Sequence, residues 1–121
     1  MTVSSLTYES NRVLVFDTSL RDGEQAPGFS LGVRDKLLMA QALKDLGVDI
    51  VEAGFAAASP GDEQSIRAIA EEVMQGAGSP VLCSLARAME ADIDAAARAL
   101  EPAGRRRCHL FLATPPIHRE A

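Results

Sequence analysis

The stretch Val13-Leu14-Val15-Phe16-Asp17-Thr18-Ser19-Leu20-Arg21-Asp22-Gly23-Glu24-Gln25-Ala26-Pro27-Gly28 decides between two folds. Its first four residues form a continuous apolar run, as in a strand buried on both faces of a parallel sheet. The turn that follows has no G-x-G-x-x-G pattern and no phosphate-cradling glycine loop, so a dinucleotide site is not expected there. A long charged loop at the C-terminal end of a first strand suits the active-site rim of a (β/α)8 barrel instead.

The same alternation continues along the chain. Asp49-Ile50-Val51-Glu52-Ala53-Gly54, Pro80-Val81-Leu82-Cys83 and Cys108-His109-Leu110-Phe111-Leu112 are the other strand signals. Between them lie three amphipathic helical stretches. Residues 33 to 46 place Val33, Leu37, Ala40, Leu43 and Leu46 on one stripe, with Gly47 as a stop. Residues 62 to 75 align Ile66, Ile69, Ala70 and Val73, and residues 90 to 101 align Ile93, Ala96, Ala97 and Leu100 before Pro102. The expected fold class is α/β, with parallel strands alternating with helices as in the N-terminal half of a TIM (β/α)8 barrel. The expected division is a tail over residues 1–12 and a partial barrel domain over residues 13–121. A doubly wound open sheet shares this start and is distinguished only by the first turn.

Composition narrows the function. The 121 residues carry a net charge of −5, with 12 basic against 17 acidic side chains, which disfavours nucleic acid and anionic membranes as partners. Aromatics are 4% and tryptophan is absent, so base-stacking platforms are not supported. No apolar run approaches the ~18 residues of a membrane span, and the polar N-terminus lacks the apolar core of a signal peptide. Cys83 and Cys108 do not suggest a disulfide framework, and a reduced cytoplasmic setting is the default. They read as small apolar strand residues.

Read from the residues alone, Arg21-Asp22 is either an Asp-Gly surface turn with a solvated arginine or a carboxylate ligand for a divalent ion beside an anion-stabilising guanidinium. Glu52 lies in an apolar strand, where a carboxylate must be paired. An Arg21–Glu52 ion pair would hold the guanidinium rigid, as a purely structural bridge or as part of a site. His109 is a lone strand histidine, and His118 reads as a loop residue; neither makes a metal-binding histidine pair. Arg105-Arg106-Arg107 reads as a solvated loop before the last strand.

Phe16 to Gly28, Glu52-Ala53-Gly54-Phe55, Ala58-Ser59-Pro60-Gly61-Asp62, Leu85-Ala86-Arg87-Ala88 and His109 to Thr114 together resemble, in order and spacing, the 2-isopropylmalate/homocitrate synthase family. These are metal-dependent (β/α)8 Claisen-condensation enzymes. Ser59-Pro60-Gly61-Asp62 and Leu85-Ala86-Arg87-Ala88 look most like the bacterial 2-isopropylmalate branch. Pro115 and Met89 depart from the family's usual residues.

The resemblance implies a role for each matching residue. Asp22 is implied as a metal ligand, Arg21 as the stabiliser of enolate or alkoxide charge, and Glu52 as the carboxylate that pairs with it. His109 is implied at the 2-oxoacid pocket, with Leu85 and Thr114 in its wall and Gln25 beside the metal. The implied cofactor is a divalent ion (Mn, Mg or Zn), with acetyl-CoA as co-substrate and 2-oxoisovalerate as the oxoacid. Homocitrate and citramalate synthases, which take other oxoacids, are the sister alternatives; a non-catalytic half-barrel module is the alternative of another class. A homodimer is implied for the full-length protein. The family's barrel needs roughly 250 residues and an H-x-H metal pair on a later strand. The chain is therefore expected to be an N-terminal fragment, weakly stable, aggregation-prone or dimeric, and catalytically poor alone.

Overall fold

A computed structural model describes residues 13–22 and 32–112. The expected tail over residues 1–12 lies outside them. The elements are β1 (Phe16–Asp17), α1 (Ser19–Asp22), α2 (Val33–Asp45), β2 (Ile50–Phe55), a 3-10 turn (Ala56–Ala58), α3 (Pro60–Glu72), β3 (Val81–Arg87), α4 (Glu90–Leu100) and β4 (Arg106–Phe111).

The sheet has four strands in the order β1-β2-β3-β4, and every neighbouring pair is parallel. Each crossover therefore advances one strand in the same direction. Right-handed connections of that kind put every covering helix on one face. A doubly wound sheet reverses its order and covers both faces, so strand order settles what the first turn only suggested. This is the first half of a (β/α)8 barrel.

The two faces differ as that architecture demands. On the helix-covered face, Val51, Ala53 and Leu82 pack with Leu20, Leu43, Ile66, Ile69, Met74, Ala99 and Leu100 in one buried cluster. On the opposite face Ile50, Val81 and Cys83 form a small separate cluster. The Phe16 and His109 rings meet edge-on with centroids 6.0 Å apart. They stand on β1 and β4, which a flat sheet would separate by about 14 Å. The sheet is therefore curled, with this second face concave.

The helices show why these residues form these elements. Ser59 caps α3, accepting the Asp62 backbone N–H at 3.1 Å, and Pro60 occupies the first turn, where it needs no donor. Gly47 ends α2 at φ 83°, a conformation that favours glycine. Ile66, Ile69, Ala70 and Val73 are all buried, as their spacing predicts.

Several boundaries differ from expectation. The Val13–Phe16 run is not the first strand. β1 begins at Phe16, and the residues before it are exposed, Val13 at 81%, because β1 is paired on one side only. Val33 and Leu46, at the two ends of α2, are exposed. On α4 the buried stripe is Asp92, Ala95, Ala96, Ala99 and Leu100, while Ile93 is exposed. The helix is turned because Asp92 is drawn inward to Arg87, through Nε at 2.7 Å, Nη2 at 3.1 Å and the Arg87 backbone N–H at 3.0 Å. An alanine-rich helix has little side-chain shape to oppose that pull. Finally, Arg106 and Arg107 are not loop residues. They belong to β4, paired with Leu82 and Cys83, and Arg106 Nη1 donates to the Glu101 and Ala103 carbonyls.

Candidate active site

Glu52 is the centre of the concave face, and its side chain is fully buried. β2 places it there by alternation with Ile50. The β2–β3 register then shifts between Glu52 and Gly54, so Phe55 rather than Gly54 aligns with Leu85. This bulge puts Glu52 and Phe55 on one face although they are three residues apart. Bulges of this kind commonly re-aim side chains beside active sites.

Both oxygens of Glu52 are engaged. Arg21 Nε donates to Oε1, and His109 Nδ1 lies 2.6 Å from Oε2. Arg21 comes from the turn after β1, Glu52 from β2 and His109 from β4. An ionised carboxylate only accepts, so Nδ1 carries the hydrogen, and in the neutral ring Nε2 keeps a free lone pair. Cys83, paired with Glu52 in register, completes the cluster: the Glu52 oxygen, the Cys83 sulfur and a His109 nitrogen lie within 4.8 Å of one another. Burial, reinforced by the Glu52 charge, pushes the Cys83 thiol up to about 12, so it is protonated at neutral pH.

Arg21 and Asp22 sit on one helical turn rather than in a loop. The Arg21 and Asp22 backbone N–H groups return to the Thr18 carbonyl at 3.1 and 2.7 Å. Asp17 closes the start by accepting the Ser19 N–H at 2.8 Å. Fully buried Leu20 anchors the turn in the helix-side core, which leaves its neighbours at the strand ends. Asp22 is more than half exposed. Its Oδ1 lies 2.8 Å from Arg21 Nη1, and its Oδ2 accepts from Thr18 Oγ1 at 2.7 Å.

The structure thus brings together Arg21, Asp22, Glu52 and His109, four of the residues named from sequence. Leu85 pairs with His109 in register and is partly buried. Gln25 and Thr114 lie outside the described residues, as does His118. Three participants were not named as site residues from sequence: Thr18, Phe16 and Cys83, which was read only as a small apolar strand residue. Thr18 had a signal, since it stands four residues before Asp22, but that spacing matters only if the segment is helical. A separate cleft of about 550 Å³ between α3 and α4 is lined by Glu63, Arg87, Asp92 and Arg98. Its arginines are already paired with its carboxylates, Arg87 with Asp92 and Arg98 with Glu63.

Comparison with known proteins gives a single answer. The HMGL-like family model matches residues 12–121. The 2-isopropylmalate synthase of Aquifex aeolicus (strain VF5) is 61% identical over 109 residues, 90% of this chain and 20% of that protein. That of Synechocystis sp. (strain ATCC 27184 / PCC 6803 / Kazusa) is 57% identical over 110 residues, 91% of this chain and 20% of the relative. That of Heliobacterium modesticaldum (strain ATCC 51547 / Ice1) is 54% identical over 111 residues, 92% of this chain and 21% of the relative. The chain spans about a fifth of the length of these relatives. A parallel sheet wound in one direction, a buried carboxylate shared by an arginine and a histidine on its concave face, and a match over nearly all of its residues lead to one conclusion: this chain belongs to the HMGL-like family.

Proposed function

We propose that the whole gene product carrying this chain is a 2-isopropylmalate synthase. It would join acetyl-CoA, 2-oxoisovalerate and water to give 2-isopropylmalate and CoA, with this chain supplying the first four strands of the catalytic barrel. The observation that carries the reading is the convergence of Arg21 and His109 on the buried Glu52, with Asp22 beside Arg21.

A divalent cation belongs to this reading, so the donor set must suit one. Asp22 does. It is a hard oxygen donor at the rim, and each of its oxygens makes one contact, to Arg21 or Thr18, so lone pairs remain on both. The Glu52-Cys83-His109 group fits one less well, because its fully buried carboxylate already sits between Arg21 and His109, whose Nδ1 is spent on it. Asp22 would therefore hold the ion as one ligand among several, the others lying outside the described residues. A bound divalent cation supplies Lewis-acid polarisation of an oxoacid carbonyl.

The chain's own residues do the rest of what concerns this site. Glu52 holds Arg21 at Nε, and Asp22 meets it at Nη1. The guanidinium keeps a fixed plane with N–H donors left over. As the acetyl methyl carbon attacks the oxoacid carbonyl, negative charge grows on the carbonyl oxygen. Arg21, already oriented, stabilises that charge without reorganising. In this reading His109 and Leu85 border the oxoacid pocket; Thr114 in its wall and Gln25 beside the cation are what the resemblance implies, and both lie outside the described residues. A cytoplasmic homodimer is part of the same reading and rests on the family resemblance. Among the described residues no helix is long and apolar enough to cross a membrane.

The test is thiol release by the whole gene product with acetyl-CoA and each of 2-oxoisovalerate, pyruvate and 2-oxoglutarate. The first is expected to react fastest. An inert 2-oxoisovalerate beside a reactive pyruvate or 2-oxoglutarate would move the protein to a sister synthase, and silence with all three would defeat the enzymatic reading.

A further inference from the structure

We infer that His109 is a positioning residue for Arg21, acting through Glu52. The inference deepens the functional reading above and rests on it.

A fully buried carboxylate is stable only when its oxygens have partners. Glu52 divides its two oxygens between residues distant in sequence, Arg21 on Oε1 and His109 on Oε2. Cys83 is the other ligand-type side chain of that cluster, and as a protonated thiol it cannot take over the ionic contact. The terminal torsion of a glutamate is broad and is not fixed by its own rotamer wells. With Oε2 held by His109, Oε1 is aimed at Arg21. Without that contact, the carboxylate can turn both oxygens toward the arginine or away from it.

His109 suits the task because it is itself held from two sides. Its backbone pairs with Leu85, and its ring meets Phe16 edge-on at 6.0 Å and 81°. A residue of the fourth strand therefore orients a cation that follows the first strand. Arg21 stands on a turn only four residues long that follows a strand of two.

This role differs measurably from a wall of the oxoacid pocket and from proton transfer at Nε2. In the whole gene product, His109→Asn keeps an N–H donor near the place of Nδ1 but loses Nε2. His109→Gln places its amide nearer Nε2 and withdraws the donor from Glu52, and His109→Leu removes both. The Asn variant is expected to keep kcat within ~3-fold, while Gln and Leu lose about 10- to 100-fold in kcat, as is usual for removal of an orienting partner. In Gln and Leu the loss in kcat should exceed any rise in the KM for the oxoacid. In protein labelled with 15N-histidine, His109 should show a protonated Nδ1, and Glu52→Gln should disturb that signature.

An Asn variant as damaged as Leu overturns the inference, and so does a raised KM with kcat unchanged. If Leu fails to fold, Asn against Gln still decides. If no oxoacid reacts, the functional reading fails separately, and a bare Nδ1 in the nitrogen spectrum would still refute the contact.

Discussion

Two buried carboxylates, Glu52 and Asp92, each take an arginine, and they take it differently. Among the described residues Asp92 receives Arg87 alone. Arg87 reaches it through Nε, Nη2 and its own backbone N–H from five positions away. That guanidinium lays its fork along a single partner, and its Cζ also lies over the Phe55 ring, 5.9 Å from the centroid. Glu52 splits its oxygens between residues 31 and 57 positions away. Its arginine is gripped at Nε and at one terminal nitrogen, which leaves donors over among the described residues. The local pair ties the end of β3 to the start of α4. The nonlocal one gathers α1, β2 and β4 around one carboxylate. A buried ion pair alone says little about function; what separates these two is how many elements converge and whether donors remain.

The largest test of that contrast is at the arginines. In the whole gene product, Arg21→Lys should lower kcat by about 100-fold or more, with the smaller effect on substrate KM, because a lysine lacks the planar fork and cannot serve Glu52 and a developing oxyanion together. Arg87→Lys, compared in steady-state kinetics, should leave kcat near wild type. Equal losses in the two variants would erase the distinction.

Next in size is the anchor beneath the site. Leu20 is fully buried and is the residue through which the one-turn helix enters the core. Leu20→Ala should cost about 2–5 kcal/mol in denaturant unfolding. It should also lower kcat, since Arg21 and Asp22 ride on the same turn. Full stability in that variant would mean that the turn is held by its hydrogen bonds alone.

The smallest effect belongs to Asp92. Its hydrogen bond to the Arg87 side chain is the main cause that holds the Asp92 carboxyl below the usual range. A depressed folded-state value means the unfolded chain binds the proton more readily. The contribution is therefore complete above the ordinary aspartate value, about 3.9, and is lost as pH falls through the folded value. Urea unfolding should show wild type more stable than Asp92→Asn at pH 6, with the gap closing below about pH 4 as the carboxylate is protonated. A gap independent of pH would assign the role of Asp92 to packing instead.

How much of this was legible in sequence varies with the range of the interaction. The three helices follow from periodicity and survive in the structure with their ends moved by at most three residues, whereas the Ser59 cap is visible only in the structure. The Arg21–Glu52 pair was also legible, because a glutamate inside an apolar strand must find a cation and the barrel order brings the first two strands together. Arg106 and Arg107 misled because charge at the start of a run resembles a loop, whereas an edge strand keeps its side chains in water. Ile93 misled because an alanine-rich helix offers two nearly equal apolar stripes, and only the ion pair to Arg87 selects between them.

The sequence by itself determined the alternation of strands and helices, the absence of a phosphate loop, and the need of Glu52 for a positive partner. Each depends on periodicity or on the cost of burying one charge, which neighbouring residues carry. Tertiary structure alone decided the curl that lets Phe16 meet His109, the bulge that puts Glu52 and Phe55 on one face, and the contact of His109 with the second oxygen of Glu52. Those depend on sheet curvature and register, which arise only when strands far apart in the chain pack side by side.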